Sequence, residues 1–185
     1  MKNILIVSGH TDLNNSVANK TILHTLQNLL PSAEFDLLDQ RYPGFRIDVP
    51  AEQAQLVKAD VVALQFPLFW YGVPSLLKRW IEDTFVFGFS HGDGGDKLHG
   101  KALVASFTSG APEDMYRHGG LQGYPIEDFL PPLKQLAALC GMRWAGHVYT
   151  GGVAFVSRSD PALLVDMRTR AADHAQRLAA LLNTL

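Results

Sequence analysis

The sequence holds a single cysteine, Cys140, in 185 residues. One thiol excludes an intramolecular disulfide and any zinc site built on a cysteine cluster. Neither staple is needed, because a chain of this length buries about 70% of the surface its unfolded state exposes. An excess of either charge is also missing: 16 Lys and Arg stand against 18 Asp and Glu, a formal net charge of −2. Binding a nucleic acid by neutralising its phosphates normally needs a basic excess, so that class is set aside. Long apolar runs are absent too. Ile4 to Val7, after Met1-Lys2-Asn3, is too brief for a signal-peptide core or a membrane span, and the chain is expected in the cytoplasm. Histidines stand at 10, 24, 91, 99, 118, 147 and 174 without H-E-x-x-H or tight Cys/His spacing, so no metal is expected. There is no G-x-G-x-x-G, no G-x-x-x-x-G-K-[ST] and no G-x-S-x-G elbow.

What is present is an alternation. Ile4-Leu5-Ile6-Val7 is a continuous aliphatic run of the kind buried on both faces of a parallel sheet. The same texture predicts strands at Phe35 to Asp39, Val61 to Phe66, Ala102 to Phe107 and Trp144 to Val153. Between them, helical spacing of apolar residues predicts a helix from Ser16 to Pro31, a short one from Pro50 to Lys58, and a third from Pro74 to Val86. A fourth covers Ile126 to Leu139, interrupted or kinked by Pro131-Pro132, and a last one opens at Asp160-Pro161, with Asp160 as cap. Alternation of this kind specifies an α/β fold, one open parallel sheet with helices on both faces, in a single domain. Gly88 to Gly100, rich in Gly, Asp and His, reads as a long flexible loop. His174 on the apolar face of the last helix and Cys140 at the end of an apolar helix read as core residues.

In such a sheet ligands bind outside the carboxyl ends of the strands, so the loops there carry the chemistry. The first, Ser8 to Ser16, runs into a helix start whose free N–H groups and dipole suit a phosphate monoester, although plain capping by Ser16 explains it equally well. The second, Pro67-Leu68-Phe69-Trp70-Tyr71-Gly72-Val73-Pro74, sets three aromatics in a row, which cannot all face one interior. A flat ring system fits them; a plug under the loop or a dimer contact is the alternative. The third, Thr108-Ser109-Gly110-Ala111 onward, offers hydroxyls and N–H groups to a polar ring edge, with Tyr116 and His118 as a donor and a titratable group beside it. His118 equally suits plain surface. Phosphate, planar ring and polar ring edge together describe a flavin mononucleotide.

The stretch Phe66-Pro67-Leu68-Phe69-Trp70-Tyr71-Gly72-Val73-Pro74, continued by Leu77-Lys78-Arg79-Trp80 and Phe85, resembles the F-P-L-x-W-x-x-x-P…LK-W…F motif of flavodoxin-like NAD(P)H:quinone oxidoreductases, typified by DT-diaphorase. His10 and Ser16-Val17-Ala18-Asn19-Lys20 are similar to the H-x₅-S-x-A-N-K loop of one branch, the ancillary oxidoreductase subunits of glutathione-gated potassium-efflux systems. The resemblance implies a flavodoxin-like five-stranded parallel sheet of order 2-1-3-4-5. It implies that His10, Ser16, Val17, Ala18 and Asn19 surround the flavin phosphate and ribityl chain, and that Pro67, Leu68, Phe69 and Trp70 line the isoalloxazine. Thr108, Ser109, Gly110 and Ala111 meet its pyrimidine edge, Ala111 replacing the second glycine of the family's T-T-G-G. Tyr116 becomes the catalytic donor near substrate, and His118 a second catalytic candidate. FMN is favoured over FAD because the chain stops soon after its last helix. The expected activity is two-electron, ping-pong reduction of a quinone or similar acceptor by NADH or NADPH, in a homodimer. A regulatory subunit of a membrane potassium-efflux protein and a one-electron carrier stay open as alternatives.

Overall fold

The computed structural model describes residues 2–185, and the alternation of buried and amphipathic runs is realised there as one sheet between two helical layers. Strands β1 (Ile4–Ser8), β2 (Glu34–Leu37), β3 (Val61–Pro67), β4 (Ala102–Thr108) and β5 (Arg143–Thr150) pair in parallel in the order β2-β1-β3-β4-β5. Helices α1 (Val17–Leu29), α2 (Leu38–Arg41), α3 (Val49–Lys58), α4 (Ser75–Thr84), α5 (Pro131–Leu139) and α6 (Pro161–Asn183) connect and flank them. The strands are apolar without a break because both faces are covered. Leu5, Val7, Val62, Leu64, Leu103 and Ala105 pack toward α3, α4 and α5, with Leu56, Leu77, Trp80 and Ala137. The intervening residues Ile6, Ala63 and Val104 pack toward α1 and α6, with Ile22, Leu26, Ala175 and Leu178. Period-2 alternation thus assigns each strand residue to one of two cores. The register aligns Ser8 with Gln65 and Gln65 with Ser106, so the loops after β1, β3 and β4 leave at one edge of the sheet.

Four expectations need correction. The second strand ends at Leu37, not Asp39: the chain turns into α2, burying Leu38 and letting the Asp39 carboxylate accept the Leu13 N–H at 2.7 Å. The fifth strand ends at Thr150, not Val153, because Gly151-Gly152 turns the backbone, Gly152 at φ +70°, and hands the Val153 N–H to Ser109 O. The fourth helix begins at Pro131, with Ile126–Phe129 a separate 3₁₀ turn. Two prolines without N–H groups are tolerated in a first turn, where those donors have no intrahelical acceptor. The 88–100 loop is pinned rather than loose: Ser90 and Leu98 are fully buried, and Lys97 N–H donates to Phe89 O. Cys140 is buried, and burial pushes its thiol pKa up, as fits an inert core residue.

Beneath α2 lies a buried polar cluster. Glu52, on α3, accepts hydrogen bonds from the Tyr42 hydroxyl at 2.6 Å and from Trp80 Nε1 at 2.7 Å. Arg41 reaches it at 3.2 Å and Asp36 at 3.1 Å. Both carboxylates are fully buried while the arginine is partly exposed.

Candidate functional site

At the carboxyl edge of β1, β3 and β4 is a cleft of about 420 Å³. One end is the start of α1. Ser16, extended at φ −96° and ψ 119°, caps the helix by accepting the Asn19 N–H on its hydroxyl. The first N–H groups of a helix have no acceptor inside it. Those of Val17 and Ala18, both on the cleft wall, find no partner among the described residues and are open to an anion. Pro67, Leu68 and Phe69 form an apolar side wall, and Thr108, Ser109 and Gly110 the floor. Across from α1 stand Val153, Phe155, Arg158 and Met167, from the turn after β5 and from α6.

His10 closes the α1 end. Its Nδ1 accepts the Asp12 N–H at 2.9 Å, and its ring meets Phe69 edge-on with centroids 5.8 Å apart. An accepting Nδ1 assigns the proton to Nε2 in the neutral ring. Burial lowers the His10 pKa, only partly opposed by Asp39 and Asp12, so the ring is a neutral donor at pH 7.

Under the cleft a chain of buried hydrogen bonds crosses the sheet. Asn19 Nδ2 donates to Thr108 Oγ1 at 3.2 Å, and Gln65 Nε2 to Asn19 Oδ1 at 2.8 Å. Ser106 Oγ donates to Gln65 Oε1 and meets His174 Nε2 at 2.7 Å. Because the serine proton is committed to Gln65, Nε2 of His174 is the donor, and Nδ1 accepts from Thr150 Oγ1 at 2.9 Å. Thr150 in turn accepts from Arg177 Nη2 at 2.7 Å. Burial first, and then the Arg177 charge, push the His174 pKa down to about 3. His174 is therefore the satisfied core histidine expected from the sequence.

The structure brings eleven of the sequence-selected residues into this cleft: His10, Ser16, Val17, Ala18, Asn19, Pro67, Leu68, Phe69, Thr108, Ser109 and Gly110. Four, Trp70, Ala111, Tyr116 and His118, lie outside its wall. Trp70 and Tyr71 occupy the tip of a tight turn closed by reciprocal Phe69 and Gly72 backbone hydrogen bonds of 3.1 Å. With φ at +48° and +65° both are left-handed, and the Trp70 side chain points to solvent, 95% exposed. Ala111 follows the floor, with its carbonyl accepting from Ser109 Oγ and from Gly152 N–H. Tyr116 sits behind Tyr149, edge-on at 6.0 Å, and lines a separate polar hollow with Glu113, His147 and Arg177. His118 is 75% exposed and 4.0 Å from Asp128. The Ser109 N–H, expected to face a ring edge, is donated to Thr150 O at 3.0 Å, whereas Gly110 and Ala111 N–H have no acceptor among the described residues.

A non-glycine residue in the left-handed region is strained by roughly 1–2 kcal/mol, and asparagine tolerates that region best. Trp70→Asn, which loses almost no packing, is expected to raise unfolding free energy by about 1 kcal/mol in urea titration. A lower midpoint would show that the indole is held by contacts the exposure does not reveal.

Sequence reading missed the far wall. Val153 reads from sequence as strand, and Phe155, Arg158 and Met167 carry no local motif; the Gly151-Gly152 pair is the one local sign that the chain turns toward the cleft there. The arrangement is suited to binding rather than acid–base hydrolysis: unpaired N–H groups at one end, an apolar slot, and N–H groups and hydroxyls at the floor. No group of three or more His, Cys, Asp or Glu among the described residues could hold a metal, and no helix among them is long and apolar enough to cross a membrane. A second cavity, of about 530 Å³, lies on the other side of the aromatic turn, lined by Phe66, Tyr71, Phe129 and Leu136 together with Lys78 and Gln135.

Comparison with known proteins agrees with this geometry. A family model described as flavodoxin-like fold matches residues 2–175. The chain is 41% identical over 141 residues to the glutathione-regulated potassium-efflux system ancillary protein KefG of Enterobacter sp. strain 638, covering 76% of each chain. It is 36% identical over 176 residues to the protein of the same name from Yersinia enterocolitica, covering 95% of this chain and 90% of that one. Among solved structures, general stress protein 14 of Treponema denticola in complex with FMN superposes with TM-score 0.85 at 26% identity, over 97% of this chain and 99% of that one.

Proposed function

The chain belongs to the flavodoxin-like fold family, and on that premise we propose that it is an FMN-dependent oxidoreductase that passes electrons from NADH or NADPH to a quinone-like acceptor. The observation that carries this reading is one cleft holding free Val17 and Ala18 N–H groups at one end and free Gly110 N–H at the floor, with the Pro67 to Phe69 wall between them. The similarity to a relative solved with FMN supports the same cofactor. The residues present fit the group. The α1 start suits its phosphate, His10 Nε2–H adds a donor, Leu68 and Phe69 give its ring an apolar face, and Gly110 N–H suits the polar ring edge.

When bound, flavin supplies hydride acceptance from the nicotinamide and delivery of two electrons to the acceptor. The chain's own contribution is to hold and orient. The cap and the Asn19 network fix the α1 start against β4, and Phe69 and Leu68 exclude water from one side of the slot. Tyr116, behind Tyr149, and His118, at the surface, remain proposals as substrate-side groups. They stand outside the cleft, so a contact with substrate requires the acceptor to extend past Ser109 and Tyr149. In the same reading the chain forms a homodimer, which light scattering checks.

The reading is tested by the visible spectrum of protein loaded with FMN and stripped of excess, then given NADPH and a benzoquinone without oxygen. Retained bands that bleach and return are expected; no retained flavin would overturn the assignment. A sharper test is Val17→Pro. Proline is tolerated at the first helical position, and extended Ser16 accepts a following proline, so the change removes one N–H while keeping the helix. FMN binding should weaken roughly tenfold, the loss of one hydrogen bond to a charged group, with riboflavin unaffected. Equal FMN affinity in the two proteins would place the phosphate elsewhere.

The names of the relatives at 36–41% identity favour a second, compatible reading, in which this flavoprotein is an ancillary subunit of a membrane potassium-efflux protein. Co-purification with such a protein is expected, and unchanged potassium efflux in a deletion strain would count against it.

A further inference from the structure

The ionisable side chains that line the cleft are His10, Asp12 and Arg158. His10 is neutral at pH 7 because burial disfavours its charge. Asp12 is a carboxylate on the same wall, partly engaged by Asn15 Nδ2 at 2.6 Å. A phosphate monoester brings a charge of about −1.5 to −2, and a helix start offers only about half a positive charge. Without Arg158 the lining would present net negative charge to an anion.

Arg158 is placed to supply the difference. It stands in the 3₁₀ turn Phe155–Ser159, opposite α1. Its guanidinium lies over the Phe155 ring, 3.4 Å from the centroid, and no carboxylate pairs with it among the described residues. Phe155 is itself 58% exposed, so this stacked pair is built at the cleft mouth rather than into the core. Stacking holds the planar fork in one plane while leaving its N–H edge free, the geometry that binds phosphate oxygens in pairs.

We propose that Arg158, braced on Phe155, is the phosphate-recognising cation of the cleft, the second half of a clamp whose first half is the α1 start. The proposal rests on the flavin reading for its ligand, a phosphate monoester: the FMN phosphate, which the shared cavity with Val17 and Ala18 favours, with the 2′-phosphate of NADPH as the other source of the same chemistry.

Arg158→Met keeps the stem on Phe155 and removes the charge; Arg158→Lys restores the charge without the fork. Dissociation constants for FMN and riboflavin, from flavin fluorescence quenching, are compared in the three proteins, together with KM for NADPH and NADH. The expected result is FMN bound about 10- to 100-fold more weakly by Arg158→Met, with riboflavin unchanged and partial recovery in Arg158→Lys. A rise in KM for NADPH alone, with FMN and NADH unaffected, keeps the phosphate role and moves its source to the 2′-phosphate of NADPH. Equal weakening of FMN and riboflavin, or no change in any ligand, overturns the proposal. A wild-type protein that binds neither flavin fails the flavin reading instead. Calorimetry of NADPH against NADH on wild type and Arg158→Met then decides the role of Arg158: loss confined to NADPH supports it, and equal binding overturns it.

Discussion

Glu52→Ala is expected to lower the unfolding free energy by about 3–5 kcal/mol, the cost of breaking a buried charged network by removing one partner. The carboxylate is fully buried and accepts from Tyr42, Trp80 and Gln55 at 2.6, 2.7 and 3.3 Å. Alanine leaves the Trp80 N–H and the Tyr42 hydroxyl without acceptors, opens a void between α3 and α4, and removes one of the two carboxylates that hold Arg41. Glu52→Gln separates charge from shape. Its oxygen can face Trp80, which only donates, while its amide donates to the Tyr42 oxygen, so a smaller loss is expected. Urea unfolding followed by tryptophan fluorescence measures both. A Glu52→Ala protein within 1 kcal/mol of wild type would mean that the network relaxes freely, against the mechanism given. The effect should also reach the cleft, since α2 carries both Arg41 and the Asp39 that holds the Leu13 N–H in the first loop.

The second large effect is a pH dependence hidden in the wild type. His174 has its folded pKa pushed down to about 3 from 6.5, mainly by burial. The stability this represents is complete above pH 6.5 and is lost as pH falls toward 3, because only the unfolded state takes up the proton. Asp36 behaves in the opposite sense. Burial first, then the neighbouring Glu52 carboxylate, raises its pKa well above the usual carboxylate value against the pull of Arg41, and one of its oxygens has no hydrogen-bond partner among the described residues. Folding therefore favours protonated Asp36, and stability is lost as pH rises above the unfolded carboxyl value of 3.8. Between about pH 4 and 6.5 the two slopes oppose each other, so the contribution of His174 is partly masked in the wild type. Asp36→Asn removes one slope and exposes the other. The variant should lose stability with a slope that approaches about 1.4 kcal/mol per pH unit, roughly 2 kcal/mol in all, on acidification from pH 6.5 to about 4.5. Urea midpoints at four pH values decide it: a level profile in Asp36→Asn would show that His174 takes up no proton on unfolding in that range.

Much of the site was legible because it is local. The run Ile4 to Val7, the cap at Ser16 and the two prolines bounding the aromatic stretch are signals between neighbours in sequence, and each is found where it was read. Trp70 shows the limit. Its place in the loop was evident, but the direction of its indole depends on two successive left-handed residues, a backbone choice that no tryptophan signals by its identity. The proline pair before α5 was misplaced for a related reason: proline is compatible with either a kink or a first turn, and only the packing of Leu130 and Leu133 selects the turn. Tyr116 shares its loop with Ser109 yet is screened from the cleft by Tyr149, a residue from another strand.

The sequence by itself determined the layered α/β fold, the edge of the sheet at which the loops after β1, β3 and β4 gather and the helix start that leaves N–H groups free there, since these follow from burial period, capping and connection length along the chain. Tertiary structure alone decided that Arg158 and Met167 face Ser16 across one cavity, that His174 sits neutral between Ser106 and Thr150, and that Asp36 is buried beside Glu52. These are meetings of residues far apart in sequence, fixed by strand register and crossovers. Their energies depend on the water excluded when the two helical layers close on the sheet, a quantity no single segment carries.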